Sequence, residues 1–262
     1  MTDMSAERPG PAGQALAGPA GQALAGLAGR PGARAALLVL ADGRLPAGGH
    51  AHSGGMEAAI VDGGIRGLDD LAEFLRGRLS TAGLLSAAFA AAACEASQHG
   101  REASQDGELL AALDTELDAR TPSPAQRDAS RAQGRTLLRA GRAAWDLAGA
   151  ALPAAPHHPV ALGVVAAAAG LGPADAALVA CYGAVSGPAS AATRLLGLDP
   201  LAVTGLQARL AVEVESVAAT ATAAATAALA AGRPDLLPAP SAVRLDLLAE
   251  RHRAAPVRMF TS

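Results

Sequence analysis

The chain has 262 residues, a formal net charge of −3 and not one lysine. A P-loop needs Gly-Lys-[Ser/Thr] to hold phosphates and Schiff-base chemistry needs an amine, so both are excluded; the slightly acidic balance argues against a broad nucleic-acid surface. Hydrophobic residues make up 51% of the chain but aromatics only 2%, so alanine and leucine supply the apolar surface, which favours close helix-on-helix packing over a sheet.

From the N-terminus, Gly10–Ala17 and Gly18–Ala25 are two copies of the same Gly-Pro-Ala-Gly-Gln-Ala-Leu-Ala sequence. Such sequence buries too little to offset its ordering entropy, and residues 1–34 are expected to form a flexible tail. Met1 to Arg8 lacks the basic start and apolar run of a signal peptide, so a cytoplasmic protein is expected. The folded body is expected over 35–240, opening with a short apolar helix from Ala35. Next comes Leu45-Pro-Ala-Gly-Gly-His-Ala-His-Ser-Gly-Gly-Met-Glu57, where Gly48, Gly49, Gly54 and Gly55 imply sharp bends or a close approach.

Leu68, Leu71, Leu75 and Leu79 recur at helical spacing behind Asp69 and Asp70, which suit a first turn. Leu110, Leu113 and Leu117 mark a second amphipathic helix, acidic on its outer side, ending at Thr121-Pro122. Ser123-Pro-Ala-Gln126 combines an N-cap, a proline at the first helical position and a capping-box glutamine. The helix it opens, to about Leu147, carries Gly134, Leu138, Gly141 and Trp145 on one face, with Arg127, Arg131, Arg135, Arg139 and Arg142 in a neighbouring arc. Two readings stay open: a core seam beside a solvated basic face paired with the acidic helix, or a partner surface. The apolar run Val160–Val185 is broken by Pro173 and Asp175 and reads as two buried helices with no membrane span. Leu245, Leu248 and His252 share one face of a last helix. No period-two run is found. The fold class is all-α, a compact multi-helix bundle of about eight to ten helices.

Few constellations carry chemistry. His50 and His52 could supply two ligands to nickel or zinc, but a site needs at least one more, and His157-His158 lies far along the chain. No metal site or cofactor is assigned. Ser53 resembles a nucleophile elbow lacking its first glycine and any preceding strand; it is expected to cap the helix starting near Met56, with Glu57 in the acid-favouring first turn. Cys94 and Cys181 lie in apolar runs and read as small core residues.

Leu45, Pro46, Gly48, Gly49, Ser53, Gly55 and Glu57 fall on the pattern Leu-Pro-x-Gly-Gly-(aromatic)-x-x-Ser-x-Gly-x-Glu, and the loop resembles the N-terminal signature of the urease accessory protein F family. His50 departs from it, standing where an aromatic is usual. Gly134-Arg135 lies where that family carries Gly-Arg-x-Leu-Leu. The ending, Leu245–His252 then Arg258-Met-Phe260-Thr-Ser262, resembles the family's acidic-apolar helix with a histidine followed by Arg-x-Phe-x-Ser. The Gly-Gln-rich turn of many members is only partly present, as Gly205 and Gln207. The resemblance implies a non-enzymatic urease maturation factor that dimerises, joins accessory protein D (also called H) and recruits the GTPase accessory protein G to deliver nickel to apo-urease. It implies partner-binding roles for Gly48, Gly49, Ser53, Glu57, Arg135, His252, Arg258, Phe260 and Ser262, with 241–262 as a partner-binding tail. Gly49→Val is expected to disrupt the loop. The alternatives are a helical scaffold unrelated to urease and a hydrolase using Ser53.

Overall fold

In a computed structural model, residues 32–98, 103–147 and 152–261 are described. The repeat and most of the segment expected as a tail, together with Ser262, lie outside them. The described residues form ten helices and no strand: α1 Ala33–Ala41, α2 Met56–Val61, α3 Leu68–Gln98, α4 Ala103–Ala119, α5 Pro124–Ala144, α6 His158–Ala168, α7 Pro173–Leu196, α8 Pro200–Arg209, α9 Ala211–Ala230 and α10 Val243–Ala254. The expected bundle is thus observed. Its first helix begins at Ala33, two residues before the expected start.

The second half of α3 is the axis, and α6, α7 and α9 pack around it. Ala87–Ala93 and Cys94 are fully buried, because alanine on every face lets neighbouring helices close in from several sides. α6 comes very close at Gly163, where a Cβ would collide with the Ala90 carbonyl oxygen and stand 2.6 Å from the Cys94 nitrogen. Glycine is required there by backbone contact. Cys94 donates its thiol to the Leu171 carbonyl at 3.4 Å, and burial pushes both cysteine thiols up to about 12, so both are inert core residues. α3 is long and apolar enough to cross a membrane by length and composition, but 61% of its apolar window is buried within the fold. Val160–Val185 divides into α6 and the first half of α7, as expected.

A π turn at Leu79–Gly83 interrupts α3. Helix α5 ends at Ala144, so Trp145 is its C-cap and leaves the helical face on which it was expected. Gly134 and Gly141 form the seam: a Cβ at Gly134 would meet the Pro156 carbonyl, and one at Gly141 would lie 2.7 Å from Val165. The basic arc divides. Arg131 bridges Asp114 at 2.9 Å and Asp118 at 2.6 Å on α4, whereas Arg135, Arg139 and Arg142 are exposed. Ser123 accepts from the Gln126 amide at 3.2 Å, as the N-cap should. Glu250 of α10 adds a further element to this cap: it accepts from the Ala125 amide at 2.9 Å and from the Ser123 hydroxyl at 2.5 Å. Helix α10 is thereby fastened to the start of α5.

A candidate partner surface where the glycine loop meets the C-terminal tail

Positive φ is required in the loop at Gly48 (81°), Gly54 (63°) and Gly55 (89°). Gly49 is different. It opens a short 3-10 turn, Gly49–Ala51, without a positive φ, and a Cβ there would meet nothing within 4 Å. The first side-chain carbon at Gly49 is thus free of contact, and the more demanding position is Gly48, whose Cβ would also touch Thr136 at 3.4 Å. That contact sets the loop against α5, one residue from exposed Arg135. Ser53 is fully buried, and its Oγ accepts from the Glu57 amide at 3.3 Å. The cap residue of α2 is Gly55, so Ser53 serves the first turn from two residues further out.

Glu57 does more than favour a helix N-terminus. It is buried, and its Oε1 and Oε2 accept from the Met259 and Phe260 amides at 2.7 and 2.9 Å. His252 Nε2 donates to the Phe260 carbonyl at 3.2 Å and lies 3.6 Å from Glu57 Oε2. The Thr261 amide donates to the Ala51 carbonyl at 2.7 Å. Phe260 itself is 4% exposed, with the Arg194 guanidinium 4.9 Å above its ring, a cation–π contact. The residues beyond the last helix could have stood free of the fold. Instead the carboxylate meets two amides in a dry site, where charge-assisted bonds are strong, and the tail folds back onto the loop. Val257, Arg258 and Met259 remain outside, Val257 at 87% exposure.

The loop and tail residues expected to act in partner binding thus come together: Gly48, Gly49, Ser53, Glu57, His252, Arg258 and Phe260. Arg135 borders them through Thr136. Glu57 as receptor for the tail was missed by sequence reasoning. The available signal was an acid among apolar residues at a helix start, together with a lone phenylalanine at the chain end.

Fold geometry also joins histidines far apart in sequence. His52 and His158 line one cavity of about 1140 Å³ beneath the loop. Burial, and then His52, pushes His158 down to about 4; burial, and then His50, lowers His52. His157 instead turns into a network, with Nδ1 3.0 Å from Ser130 Oγ and Nε2 2.9 Å from Asp118 Oδ1. Burial lowers its pKa against the pull of Asp118. The neutral ring donates from Nε2 to Asp118 and accepts the Ser130 hydroxyl proton at Nδ1. Ser130 Oγ also accepts from the His158 amide at 3.1 Å, and the His157 amide donates to Asp114 at 2.7 Å. These bonds fasten the start of α6 to α4 and α5. Among the described residues no group of three or more His, Cys, Asp or Glu is placed to hold a metal ion.

The UreF family model matches residues 65–211. The chain is 45% identical to a urease accessory protein UreF of Mycobacterium sp. (strain JLS) over 86% of this chain and 97% of that protein. It is similar at 45% to that of Mycobacterium marinum, over 87% and 98%, and at 44% to that of Mycobacterium tuberculosis, also over 87% and 98%. The family-model match covers the helical bundle from Ile65 to Ala211, and so lies between the glycine loop and the C-terminal helix. The chain belongs to the UreF family of urease accessory proteins.

Proposed function

We propose that this protein acts in urease maturation through the composite loop–tail surface, which docks accessory protein D (H) while the bundle recruits the GTPase accessory protein G, so that nickel reaches apo-urease. The observation that carries this is the Glu57 clamp: it spends the tail's anchor, Phe260, inside the protomer and leaves Val257, Arg258 and Met259 as an ordered, exposed edge. The partner therefore reads a preformed ridge, with Phe260 turned into the protomer. Preformed surfaces lose less entropy on binding than arms that order at contact. In this reading 241–262 is the partner-binding segment, 35–240 the body, and Arg135 a rim contact beside the loop. The protein works as a homodimer in the cytoplasm, without nucleic acid, membrane or a reaction of its own.

Co-purification tests it. Deleting 257–262 is expected to abolish capture of accessory protein D with helical content unchanged, and Arg258→Ala to weaken it. Equal capture by both variants would sink the surface. Purified alone, the protein is expected neither to bind nor to hydrolyse GTP. Disrupting the gene is expected to lower urease activity at ordinary nickel levels, with rescue by excess nickel; unchanged activity would contradict a delivery role.

A further inference from the structure

Arg78 is the last residue of α3 before the π turn, and its side chain lines the cavity beneath the loop. π turns inside helices recur at functional sites. Its Nε donates to the Ala184 carbonyl at 3.2 Å. No carboxylate forms an ion pair with it among the described residues, and burial alone depresses its pKa, to about 10. Gly54 makes the space: at φ 63° it presents no side chain, and a Cβ there would lie 3.1 Å from Arg78 Nη2 and 3.0 Å from Pro188 Cγ. Arg78 is half-buried, with no carboxylate partner among the described residues, so a ligand that brings negative charge gains charge-assisted hydrogen bonds at its guanidinium.

The rest of the cavity wall agrees in sign. It carries Arg78, Arg194, Arg253 and Arg258 against Asp42 and Asp128, four positive charges to two negative, in a chain whose net charge is −3. Both aspartates are already engaged, Asp42 by Arg44 at 2.7 Å and Asp128 by Arg253 at 3.2 Å. His52 and His158, both held below the ordinary histidine range, add hydrogen-bonding nitrogens and no charge at neutral pH. A bare divalent cation would meet net repulsion here. A planar guanidinium fork with free N–H groups suits a planar anion with two oxygens.

We propose that this cavity binds a small, diffusible oxyanion of the carboxylate type, seated against the Arg78 guanidinium beneath Gly54. The site rests on the cavity alone and is independent of the maturation reading. Isothermal titration of the full chain with sodium acetate and sodium formate, at ionic strength held constant with sodium chloride, tests it. Saturable one-to-one binding is expected, weakened at least about tenfold in Arg78→Gln and unchanged in Arg209→Gln, whose side chain lies on the surface. Arg78→Lys keeps the charge and loses the fork, so its preference for acetate over chloride is expected to fall; it decides the matter if circular dichroism shows Arg78→Gln unfolded. No saturable heat from the folded wild type up to about 50 mM overturns the proposal. Equal binding by wild type and the folded Arg78 variants overturns it as well.

Discussion

Two buried regions of this protein are held by opposite means. Where α6 crosses α3, Gly163, Ala90 and Cys94 meet through backbone and small apolar groups. Where the tail crosses the loop, a carboxylate and a histidine meet main-chain amides and a carbonyl. The seam depends on volume and has no group that titrates near neutrality. The junction and the cavity beside it depend on polar groups that must be correctly protonated or charged. Damage to the first should lower the stability of the whole bundle, while damage to the second should release a local element and leave the bundle folded.

The largest expected effect is at the seam. Gly163→Ala forces two helices apart, because the new Cβ meets backbone atoms that cannot turn away, and should cost about 3 kcal/mol or more. Urea denaturation read by circular dichroism checks this; a loss under about 1 kcal/mol would show that the helices slide apart freely.

Acid should find the loop cavity and leave the seam untouched. Burial holds His158 at about 4, well below the ordinary histidine value of about 6.5, so the unfolded chain takes its proton first. Stability is full above about pH 6.5 and falls as pH drops toward 4, by about 3 kcal/mol from this group. His157, lowered in the same direction, adds to the loss. Denaturant midpoints at pH 7.5 and 4.5 measure the slope, and His158→Asn should flatten it. An equal slope in that variant would place the titrating group elsewhere.

Glu57→Gln keeps the shape and removes the charge, turning an NH₂ group toward amide donors. Tail docking should weaken by about 2 kcal/mol. Residues 257–261 should then exchange amide hydrogens and be cleaved faster, while the thermal midpoint of the bundle stays nearly unchanged. A global loss of the same size would mean that tail and bundle unfold together.

Smaller effects separate the loop's own residues. Ser53→Ala removes an acceptor for the Glu57 amide and should cost about 1 kcal/mol. Gly48→Ala should cost about the same, through its left-handed backbone, whereas Gly49→Ala should be close to neutral; a reversal of that order would contradict the loop conformation.

The sequence alone determined the helical class, most helix starts and the family pattern, because these depend on local spacing: leucines at three and four residues, prolines and Ser123 at first turns, glycines bunched in one loop. It also marked the tail and the loop as functional partners of something. Only the tertiary structure decided that they are partners of each other. Glu57 and Met259 are 202 positions apart and carry no local signal of that bond, since a carboxylate's acceptor role is the same whether water or a distant amide fills it. The cap of α5 divides in the same way: Ser123 and the Gln126 amide pair as their spacing suggests, while Glu250 joins them from another helix with no local signal. The cavity was invisible too. No local signal places His52, His158 and Arg78 on one wall: they are up to 106 positions apart, and only helix packing sets two imidazoles, neutral at pH 7, beside a guanidinium that has no carboxylate partner among the described residues.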